Sequence, residues 1–570
     1  MMRKMLMMSL AVVLTTVAMG ADVAPKTAPK IAPPDMAWFE AARFGMFIHW
    51  GAYSQRGIEA SWPLYAGDPK RADYEALATT FNPTKFDPVA IAKLAKRAGM
   101  KYVILTSKHH DGFSMFDTKL SDYSIMHSPY GKNIAKMLAD AVRAEGLKFG
   151  FYFSLADWHN PDYMTAPMQG NPGPGMLPQQ LDPARWDRFV DFLHGQMREL
   201  CTQYGKLSVI WFDGGWEHTT QQWKSHELCQ MIRTLQPGIL INDRAGTDGD
   251  YGTPEQTVPE GGLGHAWETC MTINNTWAYN PTDKAYKSTD DLLGVLAKTA
   301  SGGGNLLLNI GPMPTGEIQP EFRERLEAIG QWMKVNGASI YGTQAGPRKV
   351  CPGQRITMRP GRLYVHIITP PEGGRLVLSN FRNEVTGASI LSSGQVLHPL
   401  REGTDVVVRL GDGGEKLKHE VVVVDFRGDV QTGIVQDADG TVTMPASEVT
   451  THGTKVSYQA QYDDIGYWVE LNDWLSWKVR VSQEGDYDVV VFQAAPASEG
   501  GDYTIGVGAQ TIDAKVKVTT TWFDETEVSH GPVHLKPGTY EVSLKPKRFN
   551  NFALMNLKWV KLVPHKGSGQ

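Results

Sequence analysis

Cysteine is scarce in this 570-residue chain: there are four, Cys201, Cys229, Cys270 and Cys351. Their spacing fits no zinc-ligand pattern, and so few in so long a chain do not make a disulfide scaffold, so they read as mostly buried free thiols. An excess of charge of one sign is also missing. Lys and Arg number 56 against 61 Asp and Glu, a formal net charge of −5, and no basic run or face offers a nucleic-acid footprint. A Gly-rich dinucleotide fingerprint and a Gly-x-Ser-x-Gly elbow are absent, which disfavours a nucleotide cofactor and a serine hydrolase. So is a helical paired-His motif. His49, His109, His110 and Asp213 are the candidates for zinc, but adjacent histidines on a strand point to opposite faces, so one of His109 and His110 is expected to turn away. No metal and no cofactor are expected.

The longest apolar run stands at the start. Arg3 and Lys4 precede apolar residues 5–19, followed by Gly20-Ala21. A charged head, a short apolar stretch and a small-residue cleavage site read as a signal peptide over 1–20, too short for a good membrane span. Residues 21–35 carry Pro25, Pro29, Pro33 and Pro34 and read as a flexible linker. The mature protein is expected to be secreted or periplasmic. No cysteine near residue 20 suggests a lipid anchor.

The length calls for two or three domains. From 36 to 343, short apolar runs (44–49, 102–106, 149–154, 209–212, 239–241, 306–310) alternate with amphipathic stretches such as 88–98, 134–145 and 183–204. That alternation predicts a parallel sheet, and its extent predicts a (β/α)8-like barrel catalytic domain, with an open doubly wound sheet as the other reading. After Gly342 short alternating runs punctuated by Gly and Pro predict two antiparallel β-sandwich domains, 344–430 and 431–570. The second, with Trp468, Trp474, Trp477, Trp522 and Trp559, reads as a jelly roll and a candidate carbohydrate-binding module.

Catalytic residues of a barrel lie where strands end. Here the runs end in His49-Trp50-Gly51, Lys108-His109-His110-Asp111-Gly112, Tyr152 to Ser154, Asp213-Gly214-Gly215 and Asn242-Asp243-Arg244. Carboxylates, indoles, His and Arg together are typical of a carbohydrate pocket: indoles pack on rings, and His and Arg donate to hydroxyls. Glycoside hydrolysis needs two carboxyl groups flanking the bond. Asp213 ends the strand Val209-Ile210-Trp211-Phe212, before glycines that allow close approach, and is the candidate nucleophile. For the acid/base, Glu255 in a Gly/Pro/Thr loop and Glu268 in an apolar setting beside Trp267 both qualify, with Glu217 and Glu260 weaker; sequence physics does not choose.

Taken in order, Ala42-Arg43-Phe44-Gly45-Met46-Phe47-Ile48-His49-Trp50-Gly51, Lys108-His109-His110-Asp111-Gly112-Phe113, Trp211-Phe212-Asp213-Gly214, Asn242-Asp243-Arg244, Thr253-Pro254-Glu255-Gln256, Trp267-Glu268-Thr269 and Gly303-Gly304-Asn305-Leu306-Leu307-Leu308-Asn309-Ile310-Gly311-Pro312 resemble glycoside hydrolase family 29, the α-L-fucosidases. The resemblance spans about residues 36–343. It implies a retaining exo-α-L-fucosidase, general or 1,3/1,4-linkage-specific, that acts on fucosylated oligosaccharides or glycoconjugates without metal or cofactor. Asp213 would be the nucleophile, and Glu255 the preferred acid/base over Glu268. His49, Trp62, His109, His110, Tyr152, Trp211 and Arg244 would bind the sugar, with Trp267 near the fucose methyl. Two departures concern subsites: Ala60-Ser61-Trp62 stands where many relatives have Glu-Trp, leaving Glu59 displaced, and Trp277-Ala278-Tyr279 stands where many have Trp-Gly-Tyr. The competing readings are an α-L-galactosidase, one hydroxyl away in substrate, and a catalytically inactive sugar-binding protein. Oligomeric state is not legible.

Overall fold

The apolar runs become strands of one parallel sheet: β1 Phe44–Ile48, β2 Tyr102–Lys108, β3 Lys148–Ser154, β4 Val209–Asp213, β5 Leu240–Ile241, β6 Glu268–Thr272 and β7 Asn305–Ile310. Their order is β5-β4-β3-β2-β1-β7-β6. The computed structural model describes residues 32–565 except 69, 166–179, 248, 348–349, 404, 412–413, 438 and 460–461. The expected signal peptide, 1–20, and most of the expected linker, 21–35, lie outside the described residues.

Helices α1 Pro88–Arg97, α2 Ile134–Ala144, α3 Pro183–Gln203, α4 Ser225–Leu235, α5 Thr289–Ser301 and α6 Pro320–Asn336 cover the sheet. Local chemistry starts them. Asp87 and Asp182 each accept from two backbone N–H groups of the first turn, and Pro88 and Pro183 fill positions that need no donor. Ser288 and Asp291 cap α5 reciprocally. On α3, Trp186, Phe189, Val190, Leu193, Met197 and Leu200 form the buried stripe.

Period-two alternation sorts the strands into two cores. Met46, Val103, Phe151, Ile210, Phe212 and Leu308 pack with the helices. Phe47, Tyr102, Ile104, Tyr152, Val209, Trp211 and Leu307 form a separate inner cluster. One step further along the inner phase come His49 after Phe47, Asp213 after Trp211 and Asn309 after Leu307. Chain phase alone therefore turns these polar residues inward at the strand ends.

The sheet's two edges are tied by residues 250–256. Asp250 N donates to the Ile241 carbonyl at 2.8 Å, and Gly252 N to that of Ala266 at 3.0 Å. Glu268 N donates to Gly252 O at 2.9 Å, and Gln256 N to Cys270 O at 2.9 Å. The bridging residue pairs are Asn242–Tyr251, Gly252–Trp267 and Glu255–Cys270, all parallel. The segment that carries Glu255 is thus part of the wall. The sequence reading did not assign β6 as a strand, because Glu-Thr-Cys-Met-Thr carries no apolar run; its five residues are nonetheless all buried.

Beyond the parallel sheet all ladders are antiparallel but one short pair, Ile434–Val435 with Trp474–Val481. A six-stranded and a three-stranded sheet between Gln344 and Phe426 enclose one core. Two six-stranded sheets between Ile434 and Pro564 enclose another, in which Trp468 and Trp477 are buried. All four cysteines are free thiols, three of them buried. No described helix is long and apolar enough to cross a membrane.

Gly45 of β1 lies against the buried Tyr102 ring: a Cβ there would meet ring atoms at 2.4 Å. Gly45→Ala is expected to cost about 1–3 kcal/mol through overpacking, read as a drop of several degrees in the first thermal unfolding midpoint.

Candidate active site

Asp213 closes β4 in the inner phase and is 8% exposed. Its Oδ2 accepts from the Tyr152 hydroxyl at 2.9 Å and its Oδ1 from Arg244 Nη1 at 3.1 Å. His110 Nε2 lies 3.8 Å from Oδ2. Burial pushes this carboxyl upward, but the Arg244 charge, the nearby His110 ring and the hydrogen bonds from Tyr152 and Arg244 outweigh it, holding Asp213 below its ordinary value. The result is an ionised carboxylate in a closed pocket.

Arg244 follows β5, and its other terminal nitrogen, Nη2, donates to Glu255 Oε2 at 2.8 Å. Its Nε donates to Thr253 Oγ1 at 3.0 Å, and Thr253 Oγ1 donates to Asp243 at 2.6 Å. The guanidinium sits 4.6 Å from the Trp211 ring centroid. One side chain therefore links both candidate carboxylates and is braced from the loop that carries the second.

His109 lines the pocket, whereas His110 is fully buried and does not line it, although its Nε2 comes within 3.8 Å of Asp213 Oδ2. They lie just past the end of β2, where strand alternation no longer applies, and their rings stand 4.2 Å apart. His109 bonds Ser61 through Nδ1 and stacks on Tyr152 within 6°. Ser154 donates its one proton to the Ala156 carbonyl at 2.6 Å, so its oxygen accepts from His110 Nδ1 at 2.7 Å. Likewise Asn309 donates to the Trp277 carbonyl at 2.7 Å, which turns its Oδ1 to accept from His49 Nδ1, also at 2.7 Å. Both rings then present a lone pair at Nε2, and that of His110 is buried without a partner. Burial above all pushes His49 and His110 down to about 4, so both are neutral at neutral pH. The sequence reading had the histidines donating to hydroxyls; in these two, Nδ1 donates to Asn309 and Ser154, which leaves Nε2 as an acceptor.

Trp62, Tyr152, Trp211, His49, His109, Arg244, Asp213 and Glu255 share one small pocket. Trp267 and Glu268 are not in it. Trp267 is buried beneath Gly304, where a Cβ would meet its ring at 2.4 Å, so it packs the wall. Glu268 opens β6, at the opposite end of the sheet from Asp213, and is fully buried between the Tyr102 hydroxyl and Trp211 Nε1, the latter at 3.1 Å. Burial raises it to about 8, against the hydrogen bonds from Tyr102 and Trp211. The expected desolvation is there, but Glu268 does not line the pocket. Glu217 is buried against Trp158, and Glu260 is paired with Arg355 and Lys298.

The pocket also contains Phe47, Trp216, Cys270 and Trp277, which the sequence reading did not place there. Inner-phase alternation from His49 points to Phe47; the others come from loops or from the unassigned β6. The two sequence departures meet here, since the Glu59 carboxylate accepts from Trp277 N at 2.9 and 3.0 Å. Among the described residues no group of three or more His, Cys, Asp or Glu could hold a metal ion.

A family model described as alpha-L-fucosidase matches residues 13–338. An alpha-L-fucosidase of Branchiostoma floridae is 31% identical over 388 residues, covering 62% of this chain and 83% of that protein. Among solved structures, alpha-L-fucosidase isoenzyme 1 from Paenibacillus thiaminolyticus is 36% identical, with a TM-score of 0.65 over 69% of this chain and 99% of its own. A Bacteroides thetaiotaomicron alpha-L-fucosidase of glycoside hydrolase family 29, trapped as a covalent intermediate with 2-fluoro-fucosyl fluoride, is 27% identical, with a TM-score of 0.64 over 70% of this chain and 98% of its own.

Glu268 carries a stability signature. Its folded-state value of about 8 lies above the ordinary 4.5, so the unfolded chain ionises first. Its contribution is full in acid and is lost as pH rises from about 4.5 towards 8. Glu268→Gln, which keeps an acceptor for Trp211, is expected to melt several degrees above the parent at pH 8, with the gap shrinking towards pH 5. A gap that does not change with pH would show that Glu268 is ionised in the folded protein.

Proposed function

The chain belongs to the alpha-L-fucosidase family, glycoside hydrolase family 29, and we propose that Asp213 and Glu255 carry its double displacement. As an exo-acting α-L-fucosidase, it takes terminal α-L-fucose from fucosylated glycans. Asp213 Oδ attacks the anomeric carbon as the bond to the leaving oxygen breaks, and Glu255 gives that oxygen its proton. Glu255 then takes a proton from water, whose oxygen displaces the Asp213 ester and releases fucose.

The observation that carries this reading is the shared guanidinium. Arg244 grips Asp213 at 3.1 Å and Glu255 at 2.8 Å. One side chain thus brings both carboxylates of the pair to one pocket, and the relative trapped as a covalent intermediate supports the retaining course. Asp213 is buried and Glu255 exposed, which suits a nucleophile at the floor and an acid at the mouth, where the leaving group departs. His49 and His110 accept from sugar hydroxyls through Nε2, and Arg244 donates to them. Trp62 and Trp277 wall the ring.

The finer architecture is read the same way. Residues 250–256, tying β5 to β6, serve as the missing eighth wall of a (β/α)8-like barrel that lacks a helix on either side of that segment. The antiparallel sheets after Gly342 are read as two β-sandwiches, the last a carbohydrate-binding jelly roll. The protein is exported by its first 20 residues and works outside the cytoplasm.

Asp213→Ala is expected to abolish hydrolysis of an aryl α-L-fucoside. Glu255→Ala should fall by about 100-fold or more and regain turnover with azide, which needs no general base, yielding α-retained fucosyl azide. Full activity in Asp213→Ala would overturn the mechanism, and azide rescue of Glu268→Ala in place of Glu255→Ala would reassign the acid. The acid limb of kcat/KM should begin near pH 4, where His49 and His110 gain protons at Nε2 and cease to accept; a limb set near pH 6 to 6.5, the ordinary histidine range, would contradict their buried neutral state.

A further inference from the structure

Of the sixteen tryptophans, all of them described, Trp216 alone is exposed, with 44% of its surface open. An indole is among the largest apolar surfaces a chain can bury, so leaving one in water forfeits stabilisation and calls for a reason. A loose loop is not that reason. Gly214, at φ 71°, opens the turn Gly215–Glu217 that carries it. Trp223 Nε1 donates to the Gly215 carbonyl at 2.9 Å on one side, and Trp158 Nε1 to the buried Glu217 carboxylate at 3.1 Å on the other. A Cβ on Gly215 would meet the Arg244 carbonyl oxygen at 2.4 Å, so the turn is pressed directly onto the segment bearing the central guanidinium. The indole lies parallel to Trp62 within 9°, ring centroids 6.3 Å apart, and edge-on to His110 at 5.5 Å. The chain has built a rigid mount for an open aromatic face.

Its position says what the face is for. Among the residues lining the pocket, Trp216 and Glu255 are the exposed ones; His49, Tyr152, Trp211 and Asp213 are buried. On the reading of Glu255 as the acid, the oxygen that leaves must pass beside Glu255, and the group attached to it must lie at the rim. The geometry points to Trp216 as the platform on which the leaving-group sugar ring rests, its C–H face against the indole. This inference rests on the proposed fucosidase mechanism and adds a specificity-determining residue to it: the preferred leaving group is a pyranose ring with an apolar face, not a small alcohol.

The test compares two substrates that share the fucosyl group and differ at the rim. α-L-Fucosyl fluoride has no ring to stack, whereas fucosyl disaccharides do. For Trp216→Ala, the ratio of kcat/KM on a panel of disaccharides to kcat/KM on the fluoride is expected to drop by roughly 10-fold, mostly through KM, and Trp216→Phe should recover most of it. Hydrolysis of the fluoride by each variant shows that it is folded. A ratio that stays at the parent's value, whether both rates fall or neither does, overturns the platform. A parent protein that hydrolyses neither substrate removes the fucosidase mechanism itself, and the platform with it.

Discussion

Arg244 brings one positive charge to two carboxylates in a pocket that water reaches only from its mouth, and the surrounding structure is organised to hold it there. Burial opposes the charges of Asp213 and Arg244. The attraction between them offsets that penalty only because the geometry is good and the remaining donors are satisfied. Thr253 takes Nε, and Asp243 in turn takes the Thr253 hydroxyl. The Trp211 face supports the guanidinium plane. The net effect on Asp213 is a carboxyl that stays ionised despite burial, which is what a nucleophile at neutral or acidic pH requires.

Each of these supports comes from a different stretch of chain. Trp211 and Asp213 share β4, Tyr152 comes from β3, Arg244 from just past β5, and Thr253 and Glu255 from the segment tying the sheet's edges. Trp211 is itself held by Glu268 across the interior. Glu268 is thus linked to the pocket through a chain of contacts: its carboxyl accepts from the indole, the indole supports the guanidinium, and the guanidinium touches both Asp213 and Glu255.

The polar histidines show how burial decides chemistry beyond residue type. A histidine in water titrates near neutrality; His49 and His110, enclosed by aromatic rings and with Nδ1 already committed, are neutral acceptors. Their neutrality also spares Arg244 and Asp213 from competing cations.

The sequence by itself determined the local layer. Apolar runs of three to six residues named most of the parallel strands, and amphipathic periodicity named three of the helices, because hydrophobic patterning acts over a few residues. Asp213 was legible as the carboxylate that ends an apolar strand, just before two glycines. The tertiary structure alone decided the rest. Glu255 and Glu268 lie thirteen positions apart and look equally eligible. Which of them lines the pocket depends on how the sheet closes, and that closure puts Glu268 against Tyr102, 166 positions away, and leaves Glu255 at the pocket. The orientation of the histidine pair, the strand hidden in Glu-Thr-Cys-Met-Thr and the exposed mount of Trp216 were illegible for the same reason. Each is set by contacts between segments distant in sequence, which no periodicity along the chain records.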